Sequence, residues 1–294
     1  MAERAAEAKI LRLGLLIEVL ECMGLKLDMH RGMQVRLFQY AKYAIAHTPI
    51  FPVELSFNHS WFLVLVSMRL KKEKGIIVAF DMEDTDFALE LAWDLRGARG
   101  NFVIKVGRPL EMQAGIGILA QIKDASGLPI IYDGKIADIP YISQKIASNA
   151  YDAGADAVIV HGFVGSDVVS AVKALGKGDV IAVVEMTHLG SNEFIQPAAE
   201  RIAMMVVRMG LEGVVLPATK PKRVKNLARI VQRENAYIYI IAPGIKAQGA
   251  SLGDAILNGA DYEVVGRAIY NAEEPKLAAE TIYSEVMGRL DDVE

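Results

Sequence analysis

The sequence predicts an α/β protein of the (β/α)8 TIM-barrel class with an extra N-terminal segment of helices, and three observations carry that prediction. From Gly75 onward, eight short apolar runs rich in Ile and Val alternate with amphipathic stretches of helical length. The runs are continuous rather than alternating, which suits strands covered on both faces, as in a parallel sheet. Polar or glycine signals follow seven of the eight runs. An open doubly wound sheet is the alternative, but eight clean units in about 220 residues favour closure.

In order, the strand candidates are Gly75–Phe80, Asn101–Val106, Pro129–Tyr132, Ala157–Val160, Val180–Val184, Gly213–Leu216, Tyr237–Ile241 and Tyr262–Val265. Helix-length stretches between them include Asp84–Leu95, Pro109–Ala125 and Pro140–Ala153. Gly154, Gly213 and Gly259 stand where helices end before the next strand, as C-terminal caps. At the opposite junctions, Asp81 follows strand one, Lys105 interrupts strand two, and Asp133 and Lys135 end strand three. His161 follows strand four, Glu185 and Thr187 strand five, Pro243-Gly244 strand seven and Gly266-Arg267 strand eight. In a barrel these ends share one face, where barrel enzymes keep their chemistry.

Residues 1–74 lack this rhythm. Helix candidates lie around Ala5–Met23 and Met33–His47, and residues 48–60 have no clear period. The expected division is 1–74 as an N-terminal extension and 75–294 as the barrel. A natural barrel start near Met68 makes 1–67 either a small helical appendage or upstream sequence read from a mis-assigned start.

Composition narrows the function classes. An apolar content of 52% with 23% charged residues is ordinary for a soluble protein with a substantial core. The net charge of −4 gives no general affinity for nucleic acid. Cys22 is the single cysteine, so no disulfide closes within the chain, which suits a cytoplasmic location. The five histidines show no metal-ligand spacing, and no apolar run reaches the roughly 20 residues of a membrane span. Glu7, Arg12 and Glu18 interrupt any signal-peptide pattern.

The chemistry concentrates in Asp133-Gly-Lys135-Ile-Ala-Asp138-Ile-Pro140. Residues two apart on a strand point the same way, so Asp133 and Lys135 project together from a strand end. The plain alternative is a structural ion pair. Lys105, in Phe102-Val-Ile-Lys-Val-Gly107, either snorkels to solvent or joins an alternating set with Asp133, Lys135 and Asp138 that keeps all four ionised. Asp81 could equally cap the helix starting near Asp84. The loops after strands seven and eight are where barrels often bind phosphate. Gly244, Gly249 and Gly266 permit close backbone approach there, and Arg267 offers a planar fork; the alternative is turn glycines beside a surface arginine.

With these residues assembled, residues 75–290 resemble orotidine 5′-phosphate decarboxylases, most closely the archaeal form. The resemblance is carried by Val78-Ala-Phe-Asp81, Ile104-Lys-Val106, Asp133-x-Lys-x-x-Asp-Ile-Pro140, Ala155-Asp-Ala-Val-Ile-Val-His161, Glu185-Met, Ala242-Pro-Gly-Ile…Ala-Gln-Gly249 and Val265-Gly-Arg-Ala-Ile-Tyr270, in order. It implies a decarboxylase of de novo pyrimidine biosynthesis that converts orotidine 5′-phosphate to UMP with no metal and no organic cofactor. Lys135 is then the catalytic lysine, with Lys105, Asp133 and Asp138 completing the array. Asp81 and Lys105 hold the ribose, Thr187 and Gln248 the pyrimidine, and Gly266-Arg267 the phosphate, with Ile139, Pro243, Gly244 and Gly249 also contacting substrate. The family shares each site across a homodimer, so Asp138 serves the partner.

This chain departs from the family pattern at several positions. Gly134 stands where the family usually has a large apolar residue, and Thr187 replaces a serine. Ile142 replaces a ribose-binding threonine, with Ser143 adjacent, and Lys246 and Ala250 replace glycines. Two rival readings are a Mg²⁺-dependent sugar-phosphate decarboxylase or hexulose-phosphate synthase, and a non-catalytic nucleotide-binding regulator. Lys105 argues against the first, because those relatives resemble this chain except for an acid at that position. The intact charged array argues against the second.

Overall fold

The computed structural model describes residues 70–246 and 248–291. The expected N-terminal helices therefore lie outside the described residues, as does the division at residue 74 for all but Leu70–Lys74.

Eight parallel strands close in sequential order: β1 (Gly75–Phe80), β2 (Phe102–Gly107), β3 (Ile130–Ile136), β4 (Ala157–His161), β5 (Asp179–Val183), β6 (Gly213–Val215), β7 (Tyr239–Pro243) and β8 (Tyr262–Val265). β8 pairs back onto β1 through Ile77 opposite Val264, which closes the barrel. Alternation explains why the runs are apolar throughout. Ile76, Val78 and Phe80 pack outward with the helices, whereas Ile77 and Ala79 face inward with Val103, Ile131, Ile159, Val183 and Ile241.

The first and last strands have the expected bounds, and the others lie within two residues of expectation except β3. The anticipated strand 129–132 continues through the charged residues to Ile136. Its pairing with β4 is regular at Tyr132 opposite Val158 and resumes at Ile136 opposite Val160, so β3 carries two extra residues across this step.

The single helix expected at 109–125 is two, Arg108–Ala114 and Ile118–Ser126. Gly115, at φ 77°, ends the first, because an L side chain is strained there and glycine is not. Gly213 is not a cap: it is the first residue of β6, and the helix Ser191–Met209 ends on the left-handed Gly210. Gly154 and Gly259 do follow helix ends, with the N–H of the next residue returning to the carbonyls of Ala150 and Ala255.

The amino-terminal end of the barrel is sealed by side chains. Asp179 is fully buried, and its Oδ2 accepts from the Leu70 N–H at 3.0 Å and the Tyr239 hydroxyl at 3.2 Å. Tyr239 and Tyr262 meet edge to face at 6.4 Å. Among the described residues, no helix is long and apolar enough to cross a membrane.

Candidate active site

Register places the charges. Ala79, Lys105 and Ile131 lie opposite one another on β1, β2 and β3, and Ala79 and Ile131 face inward. Lys105 therefore points into the barrel. Two residues further along, Asp81, Gly107 and Asp133 occupy the next layer toward the carboxyl end. Because Gly107 has no side chain, the two carboxylates reach the ammonium between them. Lys105 Nζ donates to Asp81 Oδ1 at 2.9 Å and lies 3.0 Å from Asp133 Oδ2. A Cβ at residue 107 would lie 2.1 Å from Asp81 Oδ1. Asp81 is thus no helix cap; Asp84 fills that role by accepting from the Phe87 N–H.

Lys135 completes the line, donating to Asp133 Oδ2 at 2.8 Å. The line is buried in its middle and open at both ends: the side chains of Lys105 and Asp133 are 8% and 6% exposed, those of Lys135 and Asp81 41% and 48%. Burial alone would raise the Asp133 pKa, but Lys105 and then Lys135 outweigh it and hold the carboxyl below its usual range. Burial would likewise lower the Lys105 pKa, and Asp133 and Asp81 together raise it instead. Asp133 therefore stays ionised although buried. Its Oδ1 is buried and has no hydrogen-bond partner among the described residues.

Asp138 does not join the other three. It is exposed, with Oδ1 accepting from its neighbour Ile139 N–H at 2.7 Å, and no described cation pairs with it. Ser143 cannot replace the missing threonine hydroxyl at residue 142: it is fully buried, and its Oγ donates to the Asp138 carbonyl at 2.8 Å.

The residues expected at the pyrimidine side adjoin one another around Gly244, which sits at φ 112°. A Cβ there would lie 3.3 Å from Thr187 Cγ2 and 3.4 Å from Gln248 Oε1. Thr219 joins them by donating to the Thr187 carbonyl. Pro243, at the end of β7, accepts from the Ala218 N–H. The loop then folds back, with Lys246 N–H donating to the Ala250 carbonyl at 2.7 Å and Gly249 at φ 97°. Lys246 takes a left-handed φ of 53°, where glycine would be at ease and a lysine is strained by about 1 kcal/mol. Gly266 lies over Ala79, and the exposed Arg267 has no carboxylate partner among the described residues.

Of four supporting residues, Gly107 and Glu263 escaped the sequence reading of the site, whereas Glu185 and His161 stand among its strand-end residues without an assigned role. Gly107 makes room for Asp81, and only its place two beyond Lys105 hints at this. Glu263, buried on β8, accepts from the N–H groups of Gly253, Ala255 and Ile256 and so anchors the segment after the β7 loop. Glu185 is also fully buried: Lys220 and Arg223 clamp it at 3.2 and 2.8 Å, so it ties the ends of β5 and β6 rather than facing a ligand. His161 lies inward, two residues beyond Ile159, with its ring 4.6 Å from that of Phe163 and its Nδ1 without a partner among the described residues. Burial, and then the charge of Lys135, lower its pKa to about 4 against a weaker pull from Asp133, so the ring is neutral at pH 7.

A closed barrel that carries a buried chain of alternating charge at the carboxyl ends of its strands belongs to the class of barrel enzymes with an electrostatic site on that face. Comparison with known proteins narrows the class. The chain belongs to the orotidine 5′-phosphate decarboxylase / HUMPS family, whose model matches residues 74–282. It is 43% identical to the orotidine 5′-phosphate decarboxylase of Pyrococcus furiosus over 211 residues, 72% of this chain and 97% of that one. With the Methanosarcina acetivorans enzyme of the same name it shares 42% identity over 226 residues, 75% of this chain and 98% of that one. Among solved structures, it is similar to orotidine 5′-monophosphate decarboxylase from Methanocaldococcus jannaschii complexed with the inhibitor BMP. There the TM-score is 0.67 and the identity 37%, covering 73% of this chain and 99% of that one.

Proposed function

We propose that this chain is an orotidine 5′-phosphate decarboxylase, a carboxy-lyase of pyrimidine biosynthesis that releases CO₂ from C6 of orotidine 5′-phosphate and leaves UMP. The observation that carries this reading is the Asp81–Lys105–Asp133–Lys135 chain at the carboxyl ends of β1 to β3, in a member of a family of that activity. The C6–carboxylate bond breaks with its electron pair left on C6. Lys135, the outer and more accessible ammonium, stabilises that charge and transfers a proton to C6, then regains a proton from water. Asp133, kept ionised by the two lysines, holds Lys135 in place beneath the departing carboxylate. Lys105 and Asp81 bind the ribose hydroxyls. Thr187 and Gln248 bind the pyrimidine, beside Pro243 and Gly244, and Gly249, Gly266 and Arg267 bind the phosphate. Phosphate contacts remote from C6 supply binding energy that organises the reacting end.

The site is shared across a homodimer in this reading. Asp138 faces away from its own array and reaches the partner's Lys135, with Ile139 against the partner's substrate. Exposed Ile139, Tyr141 and Phe163, in the segments that follow β3 and β4, supply an apolar surface for that contact. A Mg²⁺-dependent sugar-phosphate reaction, the other branch of the family, fits less well. Lys105 already places a cation 2.9 and 3.0 Å from the two carboxylates a metal would need. The test is the absorbance change of orotidine 5′-phosphate with the full chain in excess EDTA. Steady conversion to UMP is expected; no conversion, or conversion abolished by EDTA, overturns the reading.

A further inference from the structure

We infer that Tyr132 and Gly134 act as one positioning unit for Lys135: the ring of Tyr132 fills the place of a side chain at residue 134 and fixes the turn from which Lys135 reaches Asp133. The inference rests on the reading of Lys135 as the proton donor. It starts from a close approach. A Cβ at Gly134 would lie 2.3 Å from Tyr132 Cε1, 2.7 Å from Cζ and 3.0 Å from the hydroxyl, so no other residue fits there while the ring stays. The ring cannot readily leave. Tyr132 is 1% exposed and belongs to the outer core between strands and helices. Its phenol lies near Glu111 and Arg108 of the helix that follows β2; burial, then Glu111, raise its pKa against Arg108.

The backbone above this ring is irregular. Four steps on β3, from Tyr132 to Ile136, run beside two on β4, from Val158 to Val160. Within that excess Lys135 takes φ 42°, a left-handed conformation that an L residue adopts only when its surroundings hold it. Plain strand alternation therefore does not bring Lys135 to Asp133. The bulge does, and the ring lodged under Gly134 is the packed feature at its base. Tyr132 touches no reacting atom in this scheme; it acts through the backbone.

The test is a double-mutant cycle on the full chain with four proteins: wild type, Gly134→Leu, Tyr132→Ala and the double variant. Readouts are kcat and KM for orotidine 5′-phosphate and the melting temperature. Displacing a catalytic group by about 1 Å costs roughly 10²-fold in rate, so each single variant is expected to lose about that in kcat with KM changed less than about threefold. The double variant, with leucine filling the vacated space, regains about tenfold over either single. Tyr132→Phe keeps the ring and stays within about threefold of wild-type kcat. Where Gly134→Leu fails to fold, Gly134→Ala takes its place under the same criterion, since the clash begins at Cβ. Singles with wild-type kcat, or a double variant whose loss is the product of the two, overturn the inference. An inactive wild type overturns the proposed function itself; an active wild type with uncoupled variants overturns this inference alone.

Discussion

At the amino-terminal end of the barrel Asp179 is fully buried, and its Oδ2 receives both the Leu70 N–H and the Tyr239 hydroxyl. At the carboxyl end Asp133 is almost as buried, yet its Oδ1 has no partner among the described residues and His161 Nδ1 beside it has none either. The same eight strands carry both ends. At one end buried polarity is matched by donors within the chain, which makes it a seal. At the other, charge is concentrated and left partly unmatched, at a desolvation cost that packing elsewhere must offset. Unmatched buried polarity of this kind suits the carboxyl end to binding a polar ligand.

The largest expected effects separate the two ends. Lys135→Ala is expected to lower turnover by roughly 10⁴-fold while the melting temperature stays near wild type, because Lys135 is half in solvent and general-acid groups carry rate rather than fold. Asp179→Ala is expected to do the reverse, destabilising the chain by about 1–3 kcal/mol through two orphaned donors with kcat nearly unchanged. Steady-state kinetics and thermal melts on both variants check the contrast. A stable, active Lys135→Ala, or an inactive but stable Asp179→Ala, would break it.

A smaller effect sharpens the account of the open end. Gly107→Ala places a methyl where Asp81 Oδ1 now lies, so Asp81 must swing into solvent and Lys105 keeps only Asp133. If Asp81 binds the ribose as proposed, losing that charge-assisted contact predicts a roughly tenfold fall in kcat/KM, chiefly through KM. Wild-type kinetics for this variant would show that Asp81 is not needed in its present pose.

The smallest effect is a pH dependence of stability. His161 is held at a pKa of about 4 in the folded chain against 6.5 for an unperturbed histidine. Between those values the unfolded chain binds a proton that the folded chain does not. Stability is therefore highest above pH 6.5 and falls as pH drops toward 4, by at most about 3 kcal/mol from this residue. His161→Asn is expected to flatten the melting-temperature profile across that window. An unaltered slope would place the cause elsewhere; Asp133, whose pKa is also depressed, contributes its own loss at lower pH.

The sequence made the barrel legible because parallel strands buried on both faces leave runs such as Ile76–Phe80 that little else produces. Asp133, Lys135 and Lys105 were legible too, since charges at the end of an apolar run are rare without a use. What did not read was whatever depends on space rather than type. Gly107 and Gly134 look like turn glycines, and only the neighbouring Asp81 carboxylate and Tyr132 ring reveal why a side chain is excluded. Glu185 shows the converse: it sits at a strand end like the site residues, yet Lys220 and Arg223, 35 and 38 positions later, draw it into a clamp. Strand three ran past its expected end because a bulge absorbs residues that a regular pleat could not.

In the proposed function the carboxyl end is completed by substrate and by a second copy of the chain, which contributes Asp138. Mixing tests it most directly. Asp133→Asn and Asp138→Asn are each expected to be nearly inactive alone. Co-expressed in equal amounts, they form mixed dimers in which one site carries both substitutions and the other neither. Total activity then rises to about a quarter of the wild-type value. Co-expressed protein that pairs yet stays as inactive as its two parents would contradict the claim.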